Sequence, residues 1–213
     1  MNEFEKNELD METEQLFDPD EGEEIVEKIP GRELYEWLCS AVGGILAVTL
    51  LFTFVLRVMS VDGGSMLPTL QHGDQMLVLN SALCAEYEAG DIVVARKESF
   101  SSEPIVKRVI ATEGQTVDID FVLGRVYVDG ELLQEDYIND FTYTAEGTEF
   151  PLTLDEGELF LLGDNRNRSS DSRHSSLGAV DERLVIGKVV FLAFPGKDSL
   201  REERDFSRIG FMS

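Results

Sequence analysis

The sequence is poor in cysteine, histidine and positive charge. Its 213 residues include two Cys, two His and 18 Lys and Arg against 42 Asp and Glu, a formal net charge of −24 at pH 7. This charge argues against nucleic-acid binding, which needs clustered Lys and Arg. Cys39 lies in a long apolar stretch and Cys84 in the region after it, so we expect no disulfide. Neither has metal-ligand spacing with His72 or His174, so we expect no metal.

Residues 1–30 are acidic and have few apolar side chains. They hold twelve Asp and Glu against Lys6 and Lys28. A segment of this composition cannot bury enough apolar surface to offset the entropy lost on ordering. We therefore predict a disordered tail, and the sequence assigns it no partner.

The segment Trp37–Leu56 is the longest run without a charged side chain, at twenty residues. At a rise of 1.5 Å per residue, a helix of this length spans about 30 Å, the thickness of a bilayer's hydrocarbon core. Tyr35 and Trp37 lie at one end, where such rings favour the membrane interface, and Arg57 follows the other end. These features predict a retained transmembrane helix over residues 37–56.

Two other interpretations of this segment stay open. A cleaved signal peptide is one, with Val58-Met59-Ser60 as a small-residue cleavage site, although such peptides have a basic start and a shorter apolar run. A buried helix of a soluble domain is the other, although such a helix normally has a polar face. Lys28 and Arg32 on one side against Arg57 on the other give only a weak preference for a cytoplasmic N-terminus.

After residue 58 the pattern changes to short β-rich runs separated by turns. Asp129-Gly130 between two apolar runs is a two-residue hairpin signal. The sequence therefore predicts a mainly β protein: a single N-terminal transmembrane helix, then an antiparallel, barrel-like β domain over residues 58–213. The predicted strands are Gln75–Leu79, Asp91–Arg96, Ile105–Ala111, Thr116–Ile119, Arg125–Val128, Glu158–Leu162 and Val185–Phe194.

Ser65 and Lys107 form the candidate catalytic pair. Ser65 follows Gly63-Gly64, which permit a tight turn, and precedes Pro68, which stiffens the chain. Lys107 lies in an apolar strand, where burial would lower its pKa and let it act as a base. Either residue alone is more often a turn or surface residue, but Ser-Lys pairs are a known alternative to the Ser-His-Asp triad.

A polar segment from Gly163 to Gly178 follows a predicted strand. A hydroxyl group there could orient the Lys107 amine, and Asp171 and Arg173 are spaced to form an ion pair. His72, close to Ser65 in the chain, stays open as an alternative base.

Four motifs together resemble the bacterial type I signal peptidase family, membrane-bound enzymes that remove signal peptides from exported proteins. They are Ser65-Met66-Leu67-Pro68-Thr69, Gly73-Asp74-Gln75-Met76-Leu77-Val78, Lys107-Arg108-Val109-Ile110-Ala111 and the Gly163-Asp164-Asn165-Arg166 segment that continues to Arg173. Between Lys107 and Gly163 the chain is short, as in the compact Gram-positive type.

The resemblance implies Ser65 as nucleophile, Lys107 as general base and Ser169 as the hydroxyl that orients Lys107. It also implies a structural Asp171–Arg173 ion pair, no cofactor and an outward-facing active site. Some members carry a serine two residues before the nucleophile, where its hydroxyl completes the oxyanion hole; here that residue is Gly63. The second oxyanion donor is therefore open.

We accordingly expect a cell-membrane serine endopeptidase that cleaves signal peptides of secretory preproteins at small-x-small sites, with Met66 in the substrate pocket. It would be monomeric, with a cytoplasmic N-terminus and an extracytoplasmic catalytic domain on the lipid bilayer. The eight residues from Arg57 to Ser65 span at most about 28 Å, which keeps the site near the membrane. The alternatives are a soluble Ser-Lys peptidase such as the self-cleaving repressors, a non-catalytic binding module, and a relative dedicated to one substrate.

Overall fold

The computed structural model describes residues 32–197 and 203–212, so the predicted tail over residues 1–30 lies outside the described residues. Helix α1 covers Arg32–Leu50, and a π-helical turn covers Leu51–Val55. Together they include a 23-residue span, Glu33–Val55, that is long and apolar enough to cross a membrane. Its most apolar 18 residues have a mean hydropathy of 2.3.

The helix differs from the predicted range of 37–56 at both ends. It begins earlier because charged residues near its start also adopt helical geometry. It ends earlier because Leu56 is the first residue of strand β1, Leu56–Ser60, which pairs with β2 at five positions. The β domain therefore starts two residues before the predicted boundary at 58.

The described residues form twelve strands, and every pairing between them is antiparallel. After β1, their bounds are β2 Gln75–Asn80, β3 Ile92–Ala95, β4 Ile105–Ala111, β5 Thr116–Asp120, β6 Arg125–Val128, β7 Glu131–Leu132, β8 Leu152–Thr153, β9 Glu158–Leu162, β10 Val180–Asp181, β11 Val185–Phe194 and β12 Gly210–Phe211. The mainly β fold class with one N-terminal apolar helix is confirmed.

The strands form two sheets. The larger has the order β1-β2-β11-β3-β4-β9-β10, with β12 paired to β11, and the smaller has the order β7-β6-β5-β8. All seven predicted strands are present, with ends that differ by at most one residue. The Asp129-Gly130 hairpin joins β6 to β7, with φ angles of 52° and 81°, the positive pair that a type I′ turn requires.

The core beneath the larger sheet anchors the loop between β1 and β2. Met66 and Leu70 from this loop are buried against Met76 and Val94 from the sheet. Burying a side chain of this size stabilises the fold by about 1.5–3 kcal/mol. The part of the loop that follows Ser65 is therefore held by apolar packing.

Candidate active site

Ser65 lies in the loop that joins β1 to β2. The base of this loop is closed by two backbone hydrogen bonds, from Val61 N to Asp74 O at 2.8 Å and from Gly73 N to Val61 O at 2.9 Å. Gly63 has a φ of 91°, a conformation that residues with a side chain rarely adopt. The backbone therefore turns sharply just before Ser65, and the Ser65 side chain is half-buried.

Lys107 lies next to Ser65, in the middle of the larger sheet. Its strand, β4, pairs with β3 on one side and with β9 on the other. Lys107 is 4% exposed, and its Nζ donates to Ser65 Oγ at 2.8 Å and to the Val106 carbonyl at 3.0 Å. Burial lowers the pKa of Lys107 to about 8, although Asp171 and Asp164 oppose the shift. An amine with this pKa is substantially neutral at mildly basic pH, as a general base requires.

The segment after β9 holds the Ser65 loop from the other side. Asn165 donates from its backbone N to Ser65 O and from Nδ2 to Gly64 O, each at 2.9 Å. Thr69 donates from Oγ1 to Asp164 Oδ2 at 2.5 Å. Two sequence motifs almost a hundred residues apart are therefore joined directly at the backbone of the candidate nucleophile.

Arg108 and Asp164 form a buried ion pair below this contact. Arg108 Nε and Nη2 donate to the two Asp164 carboxylate oxygens at 2.9 and 2.8 Å. The Arg108 guanidinium also lies 4.1 Å from the centre of the Tyr137 ring. A planar guanidinium suits this bidentate and stacked arrangement in a way that lysine does not. Sequence reasoning missed the pair, because nothing in the alternating strand pattern distinguishes Arg108 from a surface residue.

Ser169 lies near Ser65, and Gly163 lies between them. A Cβ placed on Gly163 would collide with Ser169 Oγ and would lie 2.6 Å from Ser65 O, so only glycine fits between them. Ser169 is 5% exposed, and its Oγ has no hydrogen-bond partner among the described residues. The structure thus brings Ser169 to the site without a hydrogen bond to Lys107.

Asp171 and Arg173 form a fully buried ion pair. Arg173 Nε and Nη2 donate to the two Asp171 carboxylate oxygens, each at 2.8 Å, and both side chains are 0% exposed. Asp171 Oδ2 also accepts from Gly163 N at 3.0 Å. The guanidinium further donates to the carbonyls of Thr144, Arg166 and Ser169. The pair therefore fixes the path of the segment that carries Ser169.

A second buried arginine ties this segment to the smaller sheet. Arg166 forms an ion pair with Glu135 and donates to Thr142 Oγ1 at 2.9 Å. Glu135 also accepts from Tyr137 Oη at 3.1 Å. The loop after β7 thus contributes to the support of the site, which the sequence did not predict.

The Ser65 backbone N–H is a candidate oxyanion donor, because it has no acceptor among the described residues. Gly63 N is occupied, since it donates to His72 Nδ1 at 3.3 Å. His72 is largely exposed, next to Asp62, and among the described residues it makes no hydrogen bond to Ser65. The structure therefore does not support His72 as the base, and the second oxyanion donor stays open.

A cleft of about 330 Å³ opens beside Ser65. It lies between the end of β1 with the residues after it and the start of β4 with the residues before it. The buried side chain of Met66 is among its lining residues, and a role of Met66 in substrate binding stays a prediction. A larger cavity of about 510 Å³ lies on the smaller sheet, but none of the predicted site residues lines it. The smaller cleft is therefore the one that borders the candidate nucleophile. Within the described ranges, no group of His, Cys, Asp and Glu is arranged to hold a metal ion.

Comparison with known families gives a clear match. The family described as Signal peptidase, peptidase S26 matches residues 34–194, which include Ser65, Lys107 and the Gly163–Arg173 segment. The chain belongs to this family.

Its relatives in this family are type I signal peptidases. The chain is 32% identical to signal peptidase I of Bacillus licheniformis over 170 residues, which cover 76% of this chain and 89% of the relative. It is 36% identical to a probable signal peptidase I-1 of Synechocystis over 160 residues, 71% of this chain and 77% of the relative. A solved signal peptidase I from Enterococcus faecalis is 31% identical, with a TM-score of 0.40 over 48% of this chain and 96% of that one. The family match and the Bacillus relative make this protein a serine peptidase, a type I signal peptidase of Gram-positive type.

Proposed function

We propose that this signal peptidase is a membrane-anchored endopeptidase that cleaves signal peptides from secretory preproteins with a Ser65–Lys107 dyad. The observation that carries the proposal is the 2.8 Å distance between Lys107 Nζ and Ser65 Oγ in a buried setting. Ser65 is the nucleophile, and neutral Lys107 is the general base. Both residues come from one chain, which is consistent with a monomeric enzyme.

The first half of the reaction forms an acyl-enzyme. Ser65 Oγ attacks the scissile carbonyl carbon while its proton passes to Lys107 Nζ. The Ser65 N–H stabilises the negative oxygen that develops in the tetrahedral intermediate. The C–N bond then breaks, the leaving amine takes the proton from Lys107, and an ester to Ser65 remains.

The second half returns the enzyme to its starting state. Lys107 takes a proton from a water molecule that attacks the ester carbonyl. The C–O bond to Ser65 then breaks, Ser65 Oγ takes the proton from Lys107, and the cleaved peptide leaves with a new carboxyl group. We propose that Ser169 orients the Lys107 amine during these steps, since its buried hydroxyl lies near Ser65 and is unbonded in the described part of the free enzyme. The Asp171–Arg173 pair positions Ser169.

The cleft fits an extended substrate. Among the described residues, strand β1 pairs with β2 alone, which leaves its other edge open there, and β4 pairs with β9 from Arg108 onward. A peptide strand between these edges would place alternate side chains against the buried floor that includes Met66. Because the cleft holds only about 330 Å³, we propose that the side chains at the first and third positions before the cut are small.

The apolar span Glu33–Val55 supports the membrane anchor. Cleavage at Val58-Met59-Ser60 would cut inside β1, where these residues pair with Leu77, Met76 and Gln75 of β2. Retention of the helix is therefore favoured over its removal. We propose that residues 1–30 are cytoplasmic, that the apolar helix spans the membrane once, and that the domain from residue 58 onward is extracytoplasmic.

The experiment is cleavage of a purified preprotein with an Ala-x-Ala site by the full-length enzyme in detergent. Ser65→Ala and Lys107→Ala should each abolish cleavage while the circular dichroism spectrum is unchanged. Ser207→Ala and Lys197→Ala are the matched controls, because both residues are exposed and neither lines the cleft. Retained activity in either dyad variant would refute the dyad.

Two further measurements separate the alternatives. A non-catalytic module would not react with a serine-directed acylating probe, whereas the proposed enzyme should be labelled at Ser65. An enzyme dedicated to one substrate would reject a panel of unrelated preproteins that the proposed enzyme cleaves.

The membrane anchor is tested separately. Membranes washed with alkaline carbonate should retain the protein, and added protease should degrade the catalytic domain only from the extracytoplasmic side.

A further inference from the structure

The cleft beside Ser65 combines an apolar floor with an acidic rim. The floor includes the buried side chains of Met66, Met76 and Val94. Among the described residues that line the cleft, the only charged ones are Asp62 and Glu103. Both are carboxylates, so a substrate in the cleft meets negative charge alone at its rim.

The two carboxylates come from different parts of the chain. Asp62 follows β1 and lies three residues before Ser65, and Glu103 lies two residues before the start of β4. The Asp62 side chain is 83% exposed, and its Oδ1 lies 3.1 Å from His72 Nδ1, the atom that accepts a hydrogen bond from Gly63 N. Glu103 is exposed too and forms no ion pair within the described part of the chain. Both charges are therefore available to a substrate.

Strand geometry determines which substrate residue meets this rim. In an extended peptide, successive side chains point to opposite sides. If the small residues of a small-x-small site face the floor, the middle residue x faces the open side of the cleft. Asp62 and Glu103 line the cleft and are exposed, so we assign them to that side.

We propose that Asp62 and Glu103 select residue x by charge, favouring Lys or Arg over Asp or Glu. This proposal rests on the proposed function and adds a substrate preference to it. Exposed charges a few ångströms apart interact weakly in water and are screened by salt. We expect cleavage with x = Lys to exceed cleavage with x = Glu by about 3- to 10-fold in kcat/KM at low ionic strength, and the ratio to fall toward one in about 1 M NaCl.

The test uses three internally quenched peptides that differ only at x, as Lys, Gln or Glu, with the full-length enzyme in a non-ionic detergent. The rim variant is Asp62→Asn/Glu103→Gln. The control is Glu131→Gln/Asp136→Asn, which removes two exposed carboxylates from the region of the smaller sheet. Both variants change the net charge equally, so the comparison separates the rim from the general field of the acidic protein. The x = Gln peptide corrects for any change in basal rate.

The expected result is a Lys/Glu ratio that drops to near one in the rim variant and is unchanged in the control variant. A wild-type ratio of one, or equal drops in both variants, would overturn the proposal and leave the proposed function intact. If the wild type cleaves no peptide, or Ser65→Ala still cleaves the x = Gln peptide, the proposed function itself fails and the charge preference fails with it.

Discussion

Asn165 fixes the backbone of Ser65. Its N–H donates to the Ser65 carbonyl and its side-chain amide to the Gly64 carbonyl, each at 2.9 Å. With both carbonyls held, the backbone at Ser65, which lines the cleft, is fixed before substrate arrives. Preorganisation of this kind is a large part of how enzymes stabilise transition states.

Asn165→Ala should therefore slow catalysis more than it destabilises the fold. It removes one hydrogen bond, worth about 0.5–1.5 kcal/mol, so we expect kcat/KM to fall about 3- to 10-fold through kcat. Asn167→Ala is the matched control in the same segment, since Asn167 bonds to Phe141 and Tyr143 instead. The test is to measure kcat/KM for peptide cleavage by both variants. Equal values for Asn165→Ala and wild type would contradict a role of Asn165 in positioning Ser65.

The pKa of Lys107 predicts a pH dependence. Lys107 must be neutral to accept the Ser65 proton, and burial lowers its pKa to about 8. About 1% of the amine is neutral at pH 6 and half at pH 8, so kcat/KM should rise about 50-fold across this range and level off above it. A profile measured from pH 4 to 9 provides the check. Activity that stays flat down to about pH 4 would argue against a lysine base.

The sequence predicted the strands well because their signals are local. Alternating apolar residues and the Asp129-Gly130 turn sit within a few residues of each other. The close approach of Ser65 and Lys107 is different, since 42 residues separate them. The residues alone left each of them ambiguous, and only the family pattern brought them together.

Long-range partners of charged residues were beyond sequence reasoning. Arg108 forms an ion pair with Asp164, 56 residues away in the sequence, and Arg166 forms one with Glu135, 31 residues away. Which carboxylate lies opposite which guanidinium depends on strand order, and the residue pattern does not specify that order.

The sequence did not predict strand β1, for a different reason. Leu56 continues the apolar run of the helix, so no local signal marks the change from helix to strand.

The buried Asp171–Arg173 pair should matter greatly for stability. Arg173→Ala leaves the Asp171 carboxylate buried without its partner and frees three backbone carbonyls. We expect the free energy of unfolding to fall by roughly 3–5 kcal/mol. Arg183→Ala is the control, because Arg183 pairs with Asp181 at the same two-residue spacing but is 89% exposed, and exposed pairs contribute little. Urea denaturation of both variants should separate them clearly, and similar losses in the two would contradict the assignment.

Lys107 itself should make the fold less stable at neutral pH. In the folded protein its pKa is about 8, below the 10.5 of a free lysine, so folding favours the neutral amine. The cost is therefore full below about pH 8 and disappears as the pH rises toward 10.5. Lys107→Met keeps the size of the side chain and removes the charge. It should be inactive and, at pH 7, more stable than wild type by roughly 1–3 kcal/mol. Urea denaturation at pH 7 and pH 9.5 tests this, since the advantage must shrink at the higher pH. A variant that is less stable at pH 7, or whose gain is the same at both pH values, would show that burial of the charge is not what lowers the stability.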